Sequence, residues 1–257
     1  MIEHTQAKAP ILCARGLVRG FRGFVAVNGV DLDIHEGSVH ALIGPNGAGK
    51  TTLFNLLCGA LPLSAGQIHF AGQDISTHGQ EAVARAGLVR SFQISAVFGQ
   101  LSVHENVRLA LQRQAGLAHQ FWRSSACLRQ LDARTQAFLE AVGLGELAEA
   151  QASNLSYGRK RMLEIATTLA LEPRLLLLDE PMAGMGHEDI EPVVELIRRV
   201  AAGRTVLMVE HNLSVVRDLC DTVSVLQRGE LIAQGDYQSV SNDARVREAY
   251  IGTEEVA

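Results

Sequence analysis

Residues 44–51 read Gly44-Pro45-Asn46-Gly47-Ala48-Gly49-Lys50-Thr51 and fit GxxxxGK[ST] at every fixed position. Phosphate oxygens need many donors at close range. Glycines let a backbone wrap so that its N–H groups point inward, and a helix opening there adds its positive N-terminus. In this pattern Lys50 reaches β- and γ-phosphates, and Thr51, followed by Thr52, holds Mg²⁺. A second motif places carboxylates at the end of an apolar run, Leu175 to Leu178 followed by Asp179-Glu180-Pro181. A buried strand of that kind delivers its C-terminal acids to the rim of a parallel sheet, where nucleotides bind. Asp179 would hold Mg²⁺ through water, and Glu180, one residue beyond the metal, would polarise an attacking water. Between the two motifs lies Leu155-Ser156-Tyr157-Gly158-Arg159. Ser156 can cap the helix that begins there, and Gly158 leaves room for a phosphate to approach the backbone. Capping alone explains LSYG in isolation. It does not explain the order of phosphate loop, LSxG and, about 20 residues later, an acid-tipped strand.

These residues need elements to hold them. Val30, Leu32 and Ile34 alternate with Asp31 and Asp33, the period of a half-buried strand. Val39 to Ile43 is more uniformly apolar, as in a strand buried on both faces, and runs straight into the phosphate loop. Leu53 to Leu57 predicts the helix behind that loop, and Gln67 to Phe70 a further strand. From about Glu81 to Gln151 strand signals vanish and Ala, Leu, Gln and Arg dominate, which predicts a helical subdomain inserted into an α/β body. Phe121-Trp122 inside it reads as a packing anchor. Ile190, Val193, Val194, Ile197 and Val200 share one helix face. Thr205 to Val209 predicts another buried strand, and Gln227-Arg228-Gly229-Glu230 a hairpin turn.

Composition narrows the function. The chain has 257 residues, 23 Lys plus Arg against 28 Asp plus Glu, and a net charge of −5. That near balance gives no global polycationic signature for nucleic acid. The uninterrupted aliphatic runs fall far short of the roughly 20 residues a membrane span needs. The first ten residues carry no apolar signal core. Four scattered cysteines without a CxxC pair argue against a zinc ribbon or disulfide framework and fit a reducing compartment.

The ordered motifs resemble those of the ATP-binding subunit of ATP-binding cassette (ABC) transporters, over nearly the whole chain from about Leu12 to Gly252. The resemblance implies an α/β fold: a P-loop NTPase cassette with a mixed-sheet RecA-like core, an antiparallel β subdomain and an inserted helical subdomain. It implies one ATP-binding domain over residues 12–252, with the helical subdomain at about 81–165 and tails at 1–11 and 253–257. ATP and Mg²⁺ are the implied ligands. Weaker positions then acquire roles. Gln93 in SFQ is similar to the glutamine that senses Mg²⁺ and the attacking water. His211 in VEHN is similar to the switch histidine at the γ-phosphate. Phe21 falls where the family stacks an aromatic on adenine, with Phe24 as competitor. Ala183 to Gly186 occupies the loop that crosses to a second subunit.

Two departures stand out. The commonest signature is LSGGQ; here Tyr157 and Arg159 replace its third and fifth residues, while Ser156 and Gly158 remain. In the crossing loop the frequent final Asp is Gly186. LSYGxxRxLEIA, EPMAGM, VEHN and the ending REAYIG resemble importer subunits for branched-chain amino acids and their relatives for urea or short amides. Lipopolysaccharide-export ATPases share much of this layout. The resemblance implies an ATPase that powers a separate integral-membrane permease from the cytoplasmic face of the cell membrane. It implies a head-to-tail pairing with a second ATP-binding subunit, identical or related, and indirectly a solute-binding protein. A soluble ABC ATPase of translation or DNA repair usually carries two cassettes or a coiled-coil insertion, whereas this chain has one cassette and no heptad run. A small P-loop kinase would lack the signature and the His211 context.

Overall fold

The computed structural model describes residues 10–91, 97–116 and 125–254. The pleat of the first strands builds a β layer. β1 (Pro10–Phe21) pairs antiparallel with β2 (Phe24–His35), turning at Arg22-Gly23. Val30, Leu32 and Ile34 of β2 are each no more than 1% exposed, as their alternation predicts. β3 (Val39–Ile43) leads into α1 (Lys50–Leu57) through the glycine loop. β4 (Ala65–Phe70) and β5 (Gln73–Asp74) complete a four-stranded antiparallel sheet in the order β2-β1-β4-β5.

Next come α2 (Gln80–Arg85), β6 (Leu88–Arg90), α3 (Val103–Gln114), α4 (Asp132–Ala141) and α5 (Tyr157–Leu169). The α/β pattern then resumes. It runs through β7 (Leu175–Asp179), α6 (His187–Ala201), β8 (Thr205–Val209), α7 (Leu213–Leu219), β9 (Thr222–Gln227) and β10 (Glu230–Gly235), then α8 (Tyr237–Asn242) and α9 (Ala244–Glu254). The second sheet has six strands in the order β10-β9-β3-β8-β7-β6. All its pairings are parallel except the β9–β10 hairpin, so it is mixed.

This sheet separates two cores, which is why its central strands read as unbroken apolar runs. Leu176, Leu178, Val206 and Met208 point into one core with α3 to α6. Leu175, Leu177, Leu207 and Val209 point into the other, shared with the antiparallel sheet and α1. The helix stripe predicted for α6 faces the first core, with Val193, Ile197 and Val200 each 5% exposed or less. Each such side chain contributes roughly 1.5–3 kcal/mol of burial.

Three sequence expectations need correction. Strand signals do not vanish after Glu81: Leu88 to Arg90 forms β6, paired in parallel with β7. Three residues are too few to display a period, and their strand conformation comes from the ladder offered by β7. Pro10 and Ile11, read as part of a tail, belong to β1, and Ile11 is buried. Thr253 and Glu254 likewise extend α9. Phe121-Trp122 lies outside the described residues.

One buried polar pair makes stability depend on pH. His40 on β3 is 1% exposed, and its Nε2 lies 2.8 Å from Ser224 Oγ on β9. Burial pushes its pKa down to about 4 from 6.5. The folded state therefore holds His40 neutral while the unfolded state protonates it, so this contribution is present above pH 6.5 and is lost as pH falls toward 4. Between pH 7 and pH 4.5 the wild type should lose about 2 to 3 kcal/mol more than His40→Asn. Urea midpoints at both pH values check this; equal losses would refute it.

Candidate functional site

The phosphate loop is shaped by its neighbours. Gly44 has φ 149°, and a Cβ there would lie 2.1 Å from the Leu226 carbonyl oxygen of β9. At Gly49, φ 105°, a Cβ would sit 2.4 Å from the Ala26 carbonyl oxygen of β2. Both positions therefore require glycine twice over, for backbone conformation and for space. The loop is held from outside as well. Gly229 in the β9–β10 turn donates its N–H to Ala48 O at 2.8 Å. The first-turn N–H groups of α1, from Lys50 onward, have no acceptor within the helix, which leaves them for a ligand at its N-terminus.

Lys50 is 9% exposed, and its Nζ donates to Gly44 O at 2.7 Å and Pro45 O at 3.0 Å. The ammonium thus lies folded into the loop. Burial lowers its pKa, and the nearby charges of Glu180 and Asp179 oppose that shift. The three groups are therefore electrostatic neighbours. Pro45 is half-buried, Asn46, Gly47 and Thr51 are exposed, and Thr52 is half-buried.

Asp179 ends β7 with its side chain 14% exposed. Its carboxylate pairs with the guanidinium of Arg90 at the end of β6, which also donates to Asn55 Oδ1 of α1. Arg90 also lies over the Phe54 ring, 6.0 Å from its centroid. The Asp179 carbonyl accepts from Arg161 of α5 at 3.1 Å. Arg161 in turn pairs with the buried Glu164 at 2.6 Å. Burial raises the Glu164 pKa, opposed by the Arg161 charge. Glu180 is exposed at the sheet rim, and its backbone is left-handed with φ 43°. Its N–H donates to Val209 O at 3.0 Å, which fixes that unfavourable conformation.

His211 is exposed just beyond β8, on the same rim. The neighbouring Glu210 is 1% exposed. Its carboxylate accepts from the N–H groups of Met182 at 3.1 Å, His211 at 3.0 Å and Asn212 at 3.2 Å. Gln93 lies outside the described residues. Phe21 and Phe24 face each other across the β1–β2 turn, 41% and 62% exposed. Arg19 covers Phe21 with its guanidinium 4.8 Å from the ring centroid, so Phe24 is the freer aromatic surface.

The Ser156 turn packs on the 183–189 segment. Ser156 caps α5, its Oγ accepting from Arg159 N at 3.4 Å. A Cβ on Gly158 would come within 2.6 Å of Asp189 Oδ1 and 2.9 Å of Asp189 Cβ. The missing side chain thus makes room for the first turn of α6. Tyr157, one of the two signature departures, donates its hydroxyl to Ala183 O at 3.0 Å.

Sequence reasoning missed Arg90, Arg161 and Glu210. Glu210 carried a usable signal, because it follows the four buried apolar residues Val206 to Val209 of β8 as Asp179 follows Leu175 to Leu178. Arg90 carried none, since its partners Asn55 and Asp179 lie 35 and 89 residues away. Arg161 has its ion-pair partner Glu164 three residues on, but nothing in that spacing pointed to the Asp179 carbonyl.

The donor set fits a Mg²⁺-bound nucleoside triphosphate. The loop is cramped by carbonyls where any side chain would intrude, a buried ammonium lies within it, and two carboxylates stand at its edge. Among the described residues no cluster of three or more His, Cys, Asp or Glu side chains could cage a metal. A hard cation here takes most of its oxygens from phosphate and water, the usual coordination of nucleotide-bound Mg²⁺.

Comparison with known proteins points the same way. The family model described as ABC transporter matches residues 27–183. A second, described as branched-chain amino acid ATP-binding cassette transporter, matches residues 230–256. The chain is 37% identical over 250 residues to the high-affinity branched-chain amino acid transport ATP-binding protein LivG of Salmonella typhimurium, covering 95% of this chain and 98% of that one. It is 33% identical over 244 residues to the lipopolysaccharide export system ATP-binding protein LptB of Escherichia coli, covering 94% and 97%. A crystal structure of an ABC-transporter ATP-binding cassette in its ADP conformation superposes with a TM-score of 0.82 at 28% identity, over 95% of this chain and all of that one.

Proposed function

Because the chain belongs to the ABC transporter ATP-binding family and is an ATP-hydrolysing subunit, we propose that it powers uptake of branched-chain amino acids, or of related small nitrogen compounds such as urea and amides. The observation that carries the solute class is the family-specific match over residues 230–256, joined to the LivG likeness along 95% of the chain. No helix among the described residues is long and apolar enough to cross a membrane. In this reading the route for solute belongs to a separate permease. The chain sits peripherally on the cytoplasmic face of that permease and pairs with a second ATP-binding subunit, identical or related. A solute-binding protein delivers cargo from outside.

In this reading the N–H groups around Gly47 to Thr52 hold the triphosphate, and Lys50 exchanges its carbonyl partners for β- and γ-phosphate oxygens. Gly44, Pro45 and Asn46 shape the entry to the loop, and Phe21 or Phe24 stacks on adenine. Thr51 and Asp179, with Gln93, would hold Mg²⁺, which would supply positive charge to offset that of the phosphates. Arg90 keeps the Asp179 carboxylate aimed at the loop. Glu180 takes the proton of the attacking water, and His211 donates to the γ-phosphate. Ser156 and Gly158 address the nucleotide of the partner subunit, a reading supported by the packing of their turn on the crossing loop. Closure over ATP draws the subunits together, hydrolysis releases them, and the helices after Gln93 pass the motion on.

Deleting the gene in its host should reduce uptake of one radiolabelled branched-chain amino acid, urea or short amide. Unchanged uptake across that panel, with a defect in lipopolysaccharide export, would transfer the assignment to the LptB-like role.

A further inference from the structure

Two consecutive residues of the crossing loop are tied in opposite directions. The Met182 N–H is held by the Glu210 carboxylate at 3.1 Å, and the Ala183 carbonyl is held by the Tyr157 hydroxyl at 3.0 Å. Glu210 is fully buried and spends its second oxygen on the N–H groups of His211 and Asn212. Tyr157 also lies against Gly184, where an added Cβ would stand 3.2 Å from its hydroxyl. The loop is further braced by Ala183 N donating to Glu180 O at 3.0 Å and Glu180 N donating to Val209 O at 3.0 Å. An unbroken set of bonds therefore runs from the Ser156 turn through residues 180–184 to the His211 turn. Neither Tyr157 nor Glu210 belongs to the phosphate-binding or metal-holding set. Glycine at position 157 could not make the first of these bonds, and Gly186 supplies no carboxylate to replace it.

We propose that Tyr157 and Glu210 are positioning residues that clamp the crossing loop from both sides, making it a rigid link between the turn that addresses the partner's nucleotide and the turn that addresses the subunit's own. The proposal rests on the site assignment made above. A carboxylate accepting three backbone N–H groups is a strong anchor, and the phenol bond is a weaker, exposed latch. Releasing the latch loosens the loop without touching the ATP-binding groups.

The test is Tyr157→Phe, which removes one oxygen from an exposed ring and should lower the melting temperature by only about 2–5 °C. Amide hydrogen exchange of the purified chain should quicken about three- to tenfold in peptides covering 181–186, the value of one released hydrogen bond. In the assembled transporter kcat should fall by a similar factor while KM for ATP stays within about twofold, and Tyr157→Leu should match Tyr157→Phe. Glu210→Gln added to Tyr157→Phe should cost no more kcat than Glu210→Gln alone, because a loop is released once. If Glu210→Gln does not fold, exchange and the kcat–KM split of Tyr157→Phe decide alone. Wild-type exchange at 181–186, or wild-type kcat, in Tyr157→Phe overturns the proposal. The exchange measurement needs neither nucleotide nor partner, so its failure leaves the ATP-site reading standing. A Lys50→Ala variant with normal ATP affinity would remove that reading while leaving the latch intact.

Discussion

Lys50→Ala should abolish ATP turnover and most nucleotide affinity. Lys50 is folded into the glycine loop, buried to 9% exposure, and its ammonium already sits on the carbonyls of Gly44 and Pro45. Its charge is held partly out of water, with Asp179 and Glu180 as its anionic neighbours. Removing it leaves those two carboxylates facing a polyphosphate without compensation. A charge-assisted bond to phosphate in such a setting is roughly twice as strong as a neutral one, and the variant loses at least one at each of two phosphates. Phosphate-release assays and titration with a fluorescent ATP analogue measure the two losses separately. The loss should appear in binding as well as rate, because the lysine contacts ground state and transition state alike. Normal affinity with normal turnover would remove the phosphate-loop assignment.

Glu180→Gln should separate binding from chemistry. The residue is exposed at the rim, in a left-handed conformation fixed by the Val209 carbonyl, so an amide of the same shape keeps the backbone as it is. What it loses is a base. That is worth roughly 10² to 10⁴ in rate, with ATP affinity near the wild-type value. Turnover at the wild-type rate would show that another group takes the proton. A variant that also lost affinity would show that Glu180 holds nucleotide and is misassigned as base.

The parts of the molecule legible in the sequence are those whose physics is local. β3, β7 and β8 announced themselves because strands buried on both faces need apolar side chains at most positions, His40 and Thr205 being the buried polar exceptions in β3 and β8. The glycine loop was legible because its backbone has to bend where no side chain fits, as the carbonyls of Leu226 and Ala26 now show. Ser156 was legible as a cap because a helix start needs one. The rest depends on residues distant in sequence. β6 is a strand only because β7 lies beside it. Arg90 draws Asn55 and Asp179 together from 35 and 89 residues away. Tyr157 looked like a departure from a motif until its hydroxyl was found on a carbonyl 26 residues further on. Nothing near Gly158 in the sequence showed that Asp189 of α6 would pack against it.

In the proposed assembly ATP is bound and hydrolysed between two subunits, the glycine loop of one facing Ser156 and Gly158 of the other. Native mass spectrometry of the Glu180→Gln chain with its second ATP-binding subunit, in Mg²⁺ and ATP, tests it most directly. The account predicts a two-subunit species retaining ATP. Adding Ser156→Arg, which sets a cation at the start of α5 where phosphate should approach, should remove that species and leave single subunits that still bind ATP. A two-subunit, ATP-bearing species that survives Ser156→Arg unchanged would contradict it.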